Sequence, residues 1–277
     1  MTKVVNVTMG VVAAVALGMV ALSAQGKTVK VDLSKETVGK PPAKFQAMVG
    51  TWVVAQDGKD KVIKIDGDIW RAAQTPATKM LIDNARKLYG TNNEDLMDSA
   101  KAFANFPVAV LKDFDGFSNG TLSLKFKTIS GNSDRASGIL FNVKPNGDWL
   151  SIRFNDTESN VVLWEFHNGI RRSVKRGPEG KWKLDPTCQR PNLGTCGAWH
   201  ELKATIDGAD FKAYLDGELA LEYTLGSEPG PGRNGPPNED LYPKNNAVLR
   251  PPVMGRVGLW AKTDTTSMYK DFVIVQK

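Results

Sequence analysis

From Asn119 to the C-terminus the chain repeats one pattern: short runs in which apolar and polar residues alternate, punctuated by turns of Gly, Asn, Asp and Pro. "NGTLSLKFKTIS" sets Leu122, Leu124 and Phe126 against Ser123, Lys125 and Lys127, the period of a strand buried on one face only. "SGILFNV", "DWLSIRF" and "NVVLWEF" follow, joined by "KPNG" and "NDTES", connections short enough to make consecutive strands antiparallel neighbours. "WHELKATIDGADFKAYLDGELALEYTL" turns at Asp207-Gly208 and Asp216-Gly217, and "GRVGLWAK" and "MYKDFVIVQ" close the chain. Upstream, "QAMVGTWVVAQDG" and "KVIKIDGDIWRAA" meet at Asp57-Gly58. Many strands, few helices and no βαβ rhythm predict an all-β, antiparallel sandwich of jelly-roll type.

Two segments depart from this pattern. "ATKMLIDNARKLYG" spaces Met80, Leu81, Ala85 and Leu88 as a helix does, and "NEDLMDSAKAFA" reads as a second helix, giving a helical insertion over about 77–104. Such an insertion covers a sheet edge or an opening in the core; the alternative is a lid or partner surface. "GSEPGPGRNGPPNEDLYPKNNAVLRPP" is too rich in Pro and Gly for a central strand and predicts a long loop.

The first 26 residues have the order of a secretory signal peptide: Lys3, an apolar run through about Val20, then Ala21, Ser23, Ala24 and Gly26. Cleavage is expected after Ala24 or Gly26, and the protein is expected in the periplasm or outside the cell. The alternative is a retained anchor, since Val4 to Ala24 is just long enough to cross a bilayer. Residues 27–44 form a polar leader on the surface, and 45–277 form one sandwich domain. In an exported chain the only two cysteines, Cys188 and Cys196, are expected to pair as a disulfide that pins their loop.

With 41% hydrophobic and 24% charged residues, the 277-residue chain can bury a large core. Its net charge of +6 is scattered rather than gathered into a run, which argues against a nucleic-acid partner. No G-x-S-x-G elbow, phosphate loop, H-E-x-x-H or dinucleotide fingerprint occurs, and the only histidines are His167 and His200. A retaining glycosidase needs two carboxyl groups about 5 Å apart, and the E-x-D-x-E strand that supplies them in laminarinase-type jelly rolls is absent. No organic cofactor is expected. Asp66 and Asp68, and Asp113 and Asp115, are each half of an acidic loop; they form turns or, in the alternative reading, contribute to a Ca²⁺ site.

The sheet face carries the remaining functional signal. Alternation puts Trp149, Ser151, Arg153 and Asn155 opposite Leu150, Ile152 and Phe154. On the next strand Asn160, Val162, Trp164 and Phe166 oppose Val161, Leu163, Glu165 and His167, and Trp164 and Glu165 compete for the ligand side. Trp260, Lys262 and Asp264 share a side if Leu259 and Ala261 point inward. Indole rings beside guanidinium and amide groups suit a sugar, which offers C–H faces and hydroxyls.

The C-terminal "GRVGLWAKTDTTSMYKDFVIV" and the hairpin "WHELKATIDGADFKAYLDGEL" resemble the closing strands of concanavalin A-like and laminin G-like jelly rolls. "SGILFNVKPNGDWLSIRFNDTESNVVLWEFHNGIRR" is similar to a bacterial secreted branch grouped with 3-keto-disaccharide hydrolase domains. Asn142 stands where the similar proteins commonly carry Arg. The resemblance implies a carbohydrate partner, contacted by Asn142, Trp149, Arg153, Asn155, Asn160, Trp164, Trp260 and Lys262. For an enzyme of this branch it implies Glu158 or Glu165 with Asp264 as acid and base. The expected function is a saccharide-binding module; the alternatives are a glycoside-acting enzyme and a structural envelope or adhesion domain.

Overall fold

A computed structural model describes residues 26–67, 77–90, 106–131, 135–167, 170–182, 197–227 and 248–277. Its strands form two antiparallel sheets. Sheet A runs, in spatial order, β13 (Glu218–Thr224), β12 (Asp210–Leu215), β11 (His200–Asp207), β6 (Gly120–Ser130), β15 (Thr266–Gln276), β4 (Asp60–Ile65) and β3 (Trp52–Asp57), with β1 (Lys27–Lys30) also paired to β15. Sheet B runs β10 (Ile170–Arg176), β9 (Asn160–His167), β8 (Trp149–Asn155), β7 (Ala136–Val143), β14 (Arg256–Ala261), β5 (Val108–Leu111) and β2 (Phe45–Val49).

The short connections explain this order. β7 to β10 form a meander in sheet B, β11 to β13 a second meander in sheet A, and β14 and β15 then return to the interior of sheets B and A. The molecule is a two-sheet antiparallel β sandwich. Leu122, Leu124 and Phe126 of β6 point inward and meet Ile139, Phe141, Ile152, Phe154 and Leu163 from sheet B. The Phe141 and Phe211 rings stack with centroids 5.7 Å apart. This core fills the space between the two sheets.

Sheet B is also apolar on part of its other side. Helix α1 (Ala77–Tyr89) lies there, with Leu81 and Ala85 in one buried cluster with Met48, Val49, Phe106, Val108, Leu140, Trp149, Trp164 and Trp260. The helix expected at 77 is present; its predicted companion falls in 91–105, outside the described residues. Among the described residues no helix is long and apolar enough to cross a membrane. Residues 1–25, Asp68, Cys188, Cys196 and most of the Pro/Gly-rich segment also lie outside the described residues.

The polar leader is part of the sandwich, not a bystander on its surface. Lys27↔Gln276 through Lys30↔Val273 pair as antiparallel neighbours, so β1 completes the edge of sheet A at one end of β15. Its four residues show no apolar alternation because three of them are exposed.

Candidate functional site

The outer face of sheet B is set by register. Trp149↔Phe166, Ser151↔Trp164, Arg153↔Val162 and Asn155↔Asn160 pair across β8 and β9, so these eight side chains share one side. β10 adds Arg171 opposite Phe166 and Ser173 opposite Trp164. A bulge at Val174 then sends that residue into the core and sets Arg176 opposite Val162. β7 contributes Gly138, between Arg153 on one side and Trp260 on the other. A Cβ on Gly138 would stand 2.3 Å from the Ile152 carbonyl oxygen, so the strands close here only around glycine.

Arg153 is the hub of the polar part. Its Nη1 donates to Asn160 Oδ1 at 2.6 Å and its Nη2 to Glu158 Oε2 at 2.7 Å. Asn160 Nδ2 in turn donates to Glu179 Oε1 at 3.4 Å. Arg176 Nη1 stands 3.9 Å from Glu158 and 3.8 Å from Glu179. Three guanidinium groups surround one indole, with Arg171 3.9 Å, Arg176 5.5 Å and Arg153 5.8 Å from the Trp164 ring centre. Each such contact contributes about 0.5–2 kcal/mol, more where water is excluded. Ser151 Oγ, Trp164 Nε1, and Arg176 Nε and Nη1 are buried atoms with no hydrogen-bond partner.

The tryptophans expected to offer stacking surface do something else. Trp149 and Trp260 are fully buried: Phe106 stacks on Trp260 at 5.8 Å and meets Trp149 edge-on at 5.9 Å, while Trp149 stacks on Phe166 at 5.1 Å. They are core beneath a plug. Trp164 lies among the arginines, with Arg171 in ring contact. Lys262 sits 5.4 Å from the Phe106 ring, at the rim of the same plug.

Asn142 does not join Arg153. It takes the left-handed bulge conformation, φ 52°, and spends its amide on the Val248 carbonyl at 2.8 Å. Asn155 reaches the face, but its Oδ1 accepts from Thr157 N and Oγ1 and so shapes the turn into β9.

The acid and base candidates are divided by the sheet. Glu158 is on the outer face with Arg153. Glu165 pairs with Leu150, so its side chain points to the sandwich interior, where it is fully buried and ion-paired with Arg172. Burial pushes its carboxyl above the ordinary value, against the pull of Arg172. This resolves the rivalry between Trp164 and Glu165: Trp164 lies on the outer face and Glu165 points inward. His167 is on the interior side too, with Nδ1 2.8 Å from Asp148 Oδ2. Asp264 is buried in the turn between β14 and β15, closed by Thr265 N on Lys262 O at 2.8 Å.

Of the acidic loop residues, Asp66 is 3.3 Å from Lys64 Nζ, Asp113 is 3.5 Å from Lys44 Nζ, and Asp115 is 4.0 Å from Arg256. Among the described residues no three His, Cys, Asp or Glu side chains gather into a metal-binding group.

Sequence reasoning passed over Arg171, Arg176 and Glu179. The Asn168-Gly169 dipeptide before "IRRSVKR" was an available hairpin signal. The run itself is nearly all polar, and nothing in it announces the bulge that decides which basic side chain faces Trp164.

Fold and face thus define an antiparallel β sandwich with an arginine-rich outer sheet surface. No family model and no curated protein matches the chain. Among solved structures it is similar to the carbohydrate-binding module CBM66 from Bacillus subtilis, at 15% identity and a TM-score of 0.49, over 83% of this chain and 93% of that one. It is also similar to the Crh5 transglycosylase, at 11% identity and a TM-score of 0.45, over 90% of this chain and 84% of that one. For a β-glucanase from Bacillus licheniformis the figures are 13% and 0.33, over 62% and 71%.

Proposed function

We propose that this protein is exported and binds a saccharide on the outer face of sheet B. One observation carries the reading: Arg153, fixed between Asn160 and Glu158, stands among buried polar groups, Ser151 Oγ and Trp164 Nε1, whose hydrogen bonds are not made within the protein. Leaving a buried polar group unsatisfied costs about 1–3 kcal/mol, a cost that a hydroxyl-rich ligand removes. The contact is polar rather than aromatic, since Trp149 and Trp260 are covered. Binding of the purified protein to a glycan panel, read by thermal shift and calorimetry, tests the proposal. Arg153→Lys, which keeps charge but loses the planar fork, should weaken binding about tenfold or more. No binding across the panel overturns the reading.

Export rests on the signal-like order of residues 1–26, and β1 begins at Lys27, directly after the second expected cleavage position. The mass of the mature protein tests it, and alkylation with and without reductant tests the expected Cys188–Cys196 bond. The second reading is a glycoside-acting enzyme like the 3-keto-disaccharide hydrolases. Its specific support is the approach of two carboxylates, Glu158 and Glu179, to the same Arg176 nitrogen. Product release from 3-keto-glycosides that is lost in Glu158→Gln would favour it; binding without turnover excludes it.

A further inference from the structure

Resting on the saccharide reading of this face, we infer that the ligand is an acidic saccharide, one whose carboxylate or sulfate is received between Arg176, Trp164 and Ser151. The hydrogen-bonding character of the unspent groups selects the chemistry. Indole Nε1–H and guanidinium N–H groups only donate, so Trp164 Nε1 and Arg176 Nε and Nη1 call for an acceptor and cannot serve a ligand's own donors. Ser151 Oγ, which can also donate, faces the same indole from the neighbouring strand. Ser151 is completely buried and Trp164 is 9% exposed, so bulk water does not serve them as it serves surface donors.

Neutral sugar hydroxyls accept one hydrogen bond readily but also bring a donor that must be placed. An oxyanion brings acceptors alone, and a planar guanidinium matches it in two-point geometry. Arg176 is held for that role. Its Nη1 lies 3.9 Å from Glu158 and 3.8 Å from Glu179, distances at which it is attracted and oriented without forming a hydrogen bond. Arg171 and Arg153 complete the surroundings of Trp164, at 3.9 and 5.8 Å from its ring centre. A ring flanked by guanidinium groups is a poor platform for a sugar's C–H face and a good neighbour for a negative charge. Oxyanions come attached to sugars in two ways, as uronate carboxylates and as sulfate esters, and both present the same acceptor set.

Matched pairs of probes separate charge from sugar: oxidised cellulose oligomers carrying glucuronate against cello-oligosaccharides, and dextran sulfate against dextran. At near-physiological salt the acidic member of at least one pair should bind about tenfold tighter or better. Arg176→Gln should remove most of that difference. Lys212→Gln, on β12 of sheet A and outside the cluster around Trp164, should leave it unchanged. Trp164→Phe keeps a ring but deletes the donor and should also weaken the acidic probe; in the unaltered protein the Trp164 indole N–H resonance should move on titration.

Preference within the glucuronate pair alone assigns a uronate, and within the sulfate pair alone a sulfate ester; either supports the inference. Equal affinity for both members of each pair overturns it while leaving saccharide binding intact. Equal loss in Arg176→Gln and Lys212→Gln reduces the effect to general surface attraction and also overturns it. No binding by any probe or by the wider glycan panel removes the saccharide reading as well.

Discussion

Glu165 and Arg172 face one another across β9 and β10 on the interior side of sheet B, with the carboxylate fully buried and the guanidinium 9% exposed. A buried pair of this kind contributes little relative to a well-packed apolar pair, yet losing one member leaves a charge where water cannot reach it. Arg172→Met should therefore destabilise the fold by about 3–5 kcal/mol. The double variant Arg172→Met with Glu165→Leu should recover much of that loss. Urea denaturation of the two variants beside the parent decides the point: a double variant no more stable than the single one contradicts it.

Next to this pair, His167 makes the interior of the sandwich sensitive to pH. Its hydrogen bond to Asp148 holds the imidazole pKa above the ordinary 6.5, although burial pulls the other way; Glu165 raises it further and Arg172 opposes. A raised folded pKa gives stability that is fully present below about 6.5 and is lost as pH rises through the raised value. Glu165, also raised, acts in the same direction from a lower starting pH. Unfolding free energies measured at about pH 6 and about pH 9 should fall across that interval, and His167→Gln should fall less. Equal slopes for parent and variant would show that the Asp148 contact is not linked to folding.

Phe106 is the plug of the outer face. It contacts Trp149, Phe166 and Trp260 at centroid distances of 5.9, 6.3 and 5.8 Å and carries Arg171 at 4.8 Å. Phe106→Ala should cost about 3–5 kcal/mol through lost burial and the cavity left behind. It should also shift tryptophan emission to the red as Trp149 and Trp260 meet water. Unshifted emission would mean that other groups close over the two indoles.

These contacts show why part of the design was legible in the sequence and part was not. β6 alternates Leu122, Leu124 and Phe126 against polar neighbours, and its inner face could be assigned residue by residue because only one side is buried. β8 could be assigned although both its faces are buried, because Leu150, Ile152 and Phe154 are all apolar while Ser151, Arg153 and Asn155 on the other side are polar. β9 could not, because both its buried faces carry apolar residues: Val161 and Leu163 pack in the main core, Val162 and Trp164 in the outer cluster. Alternation cannot rank two apolar sides, and only pairing with β8 places Trp164 beside Arg153 and Glu165 beneath. The exposure of Trp149 and Trp260 was illegible for another reason. Periodicity reports which side of a sheet a residue occupies, not that Phe106, distant in sequence from both, covers it. β1 was missed because a four-residue polar edge strand carries no alternation at all.

The bulge at Val174 gives the sharpest test of the site's register. In an unbroken ladder Lys175 would follow Ser173 onto the outer face and stand opposite Val162. Instead Val174 fills the core, Lys175 is exposed opposite Leu163, and Arg176 takes the place opposite Val162, 5.5 Å from the Trp164 ring. The two basic residues are adjacent in sequence but differ in what they touch. Arg176→Gln removes a cation from beside the indole and should displace the Trp164 Nε1–H resonance in a ¹H–¹⁵N spectrum. Lys175→Gln should leave that resonance in place; Lys175 is exposed and the Arg176 side chain is 20% exposed at the sheet edge, so both variants should fold. A larger displacement from Lys175→Gln than from Arg176→Gln would mean that β10 runs without its bulge, and the arginine cluster around Trp164 would have to be redrawn.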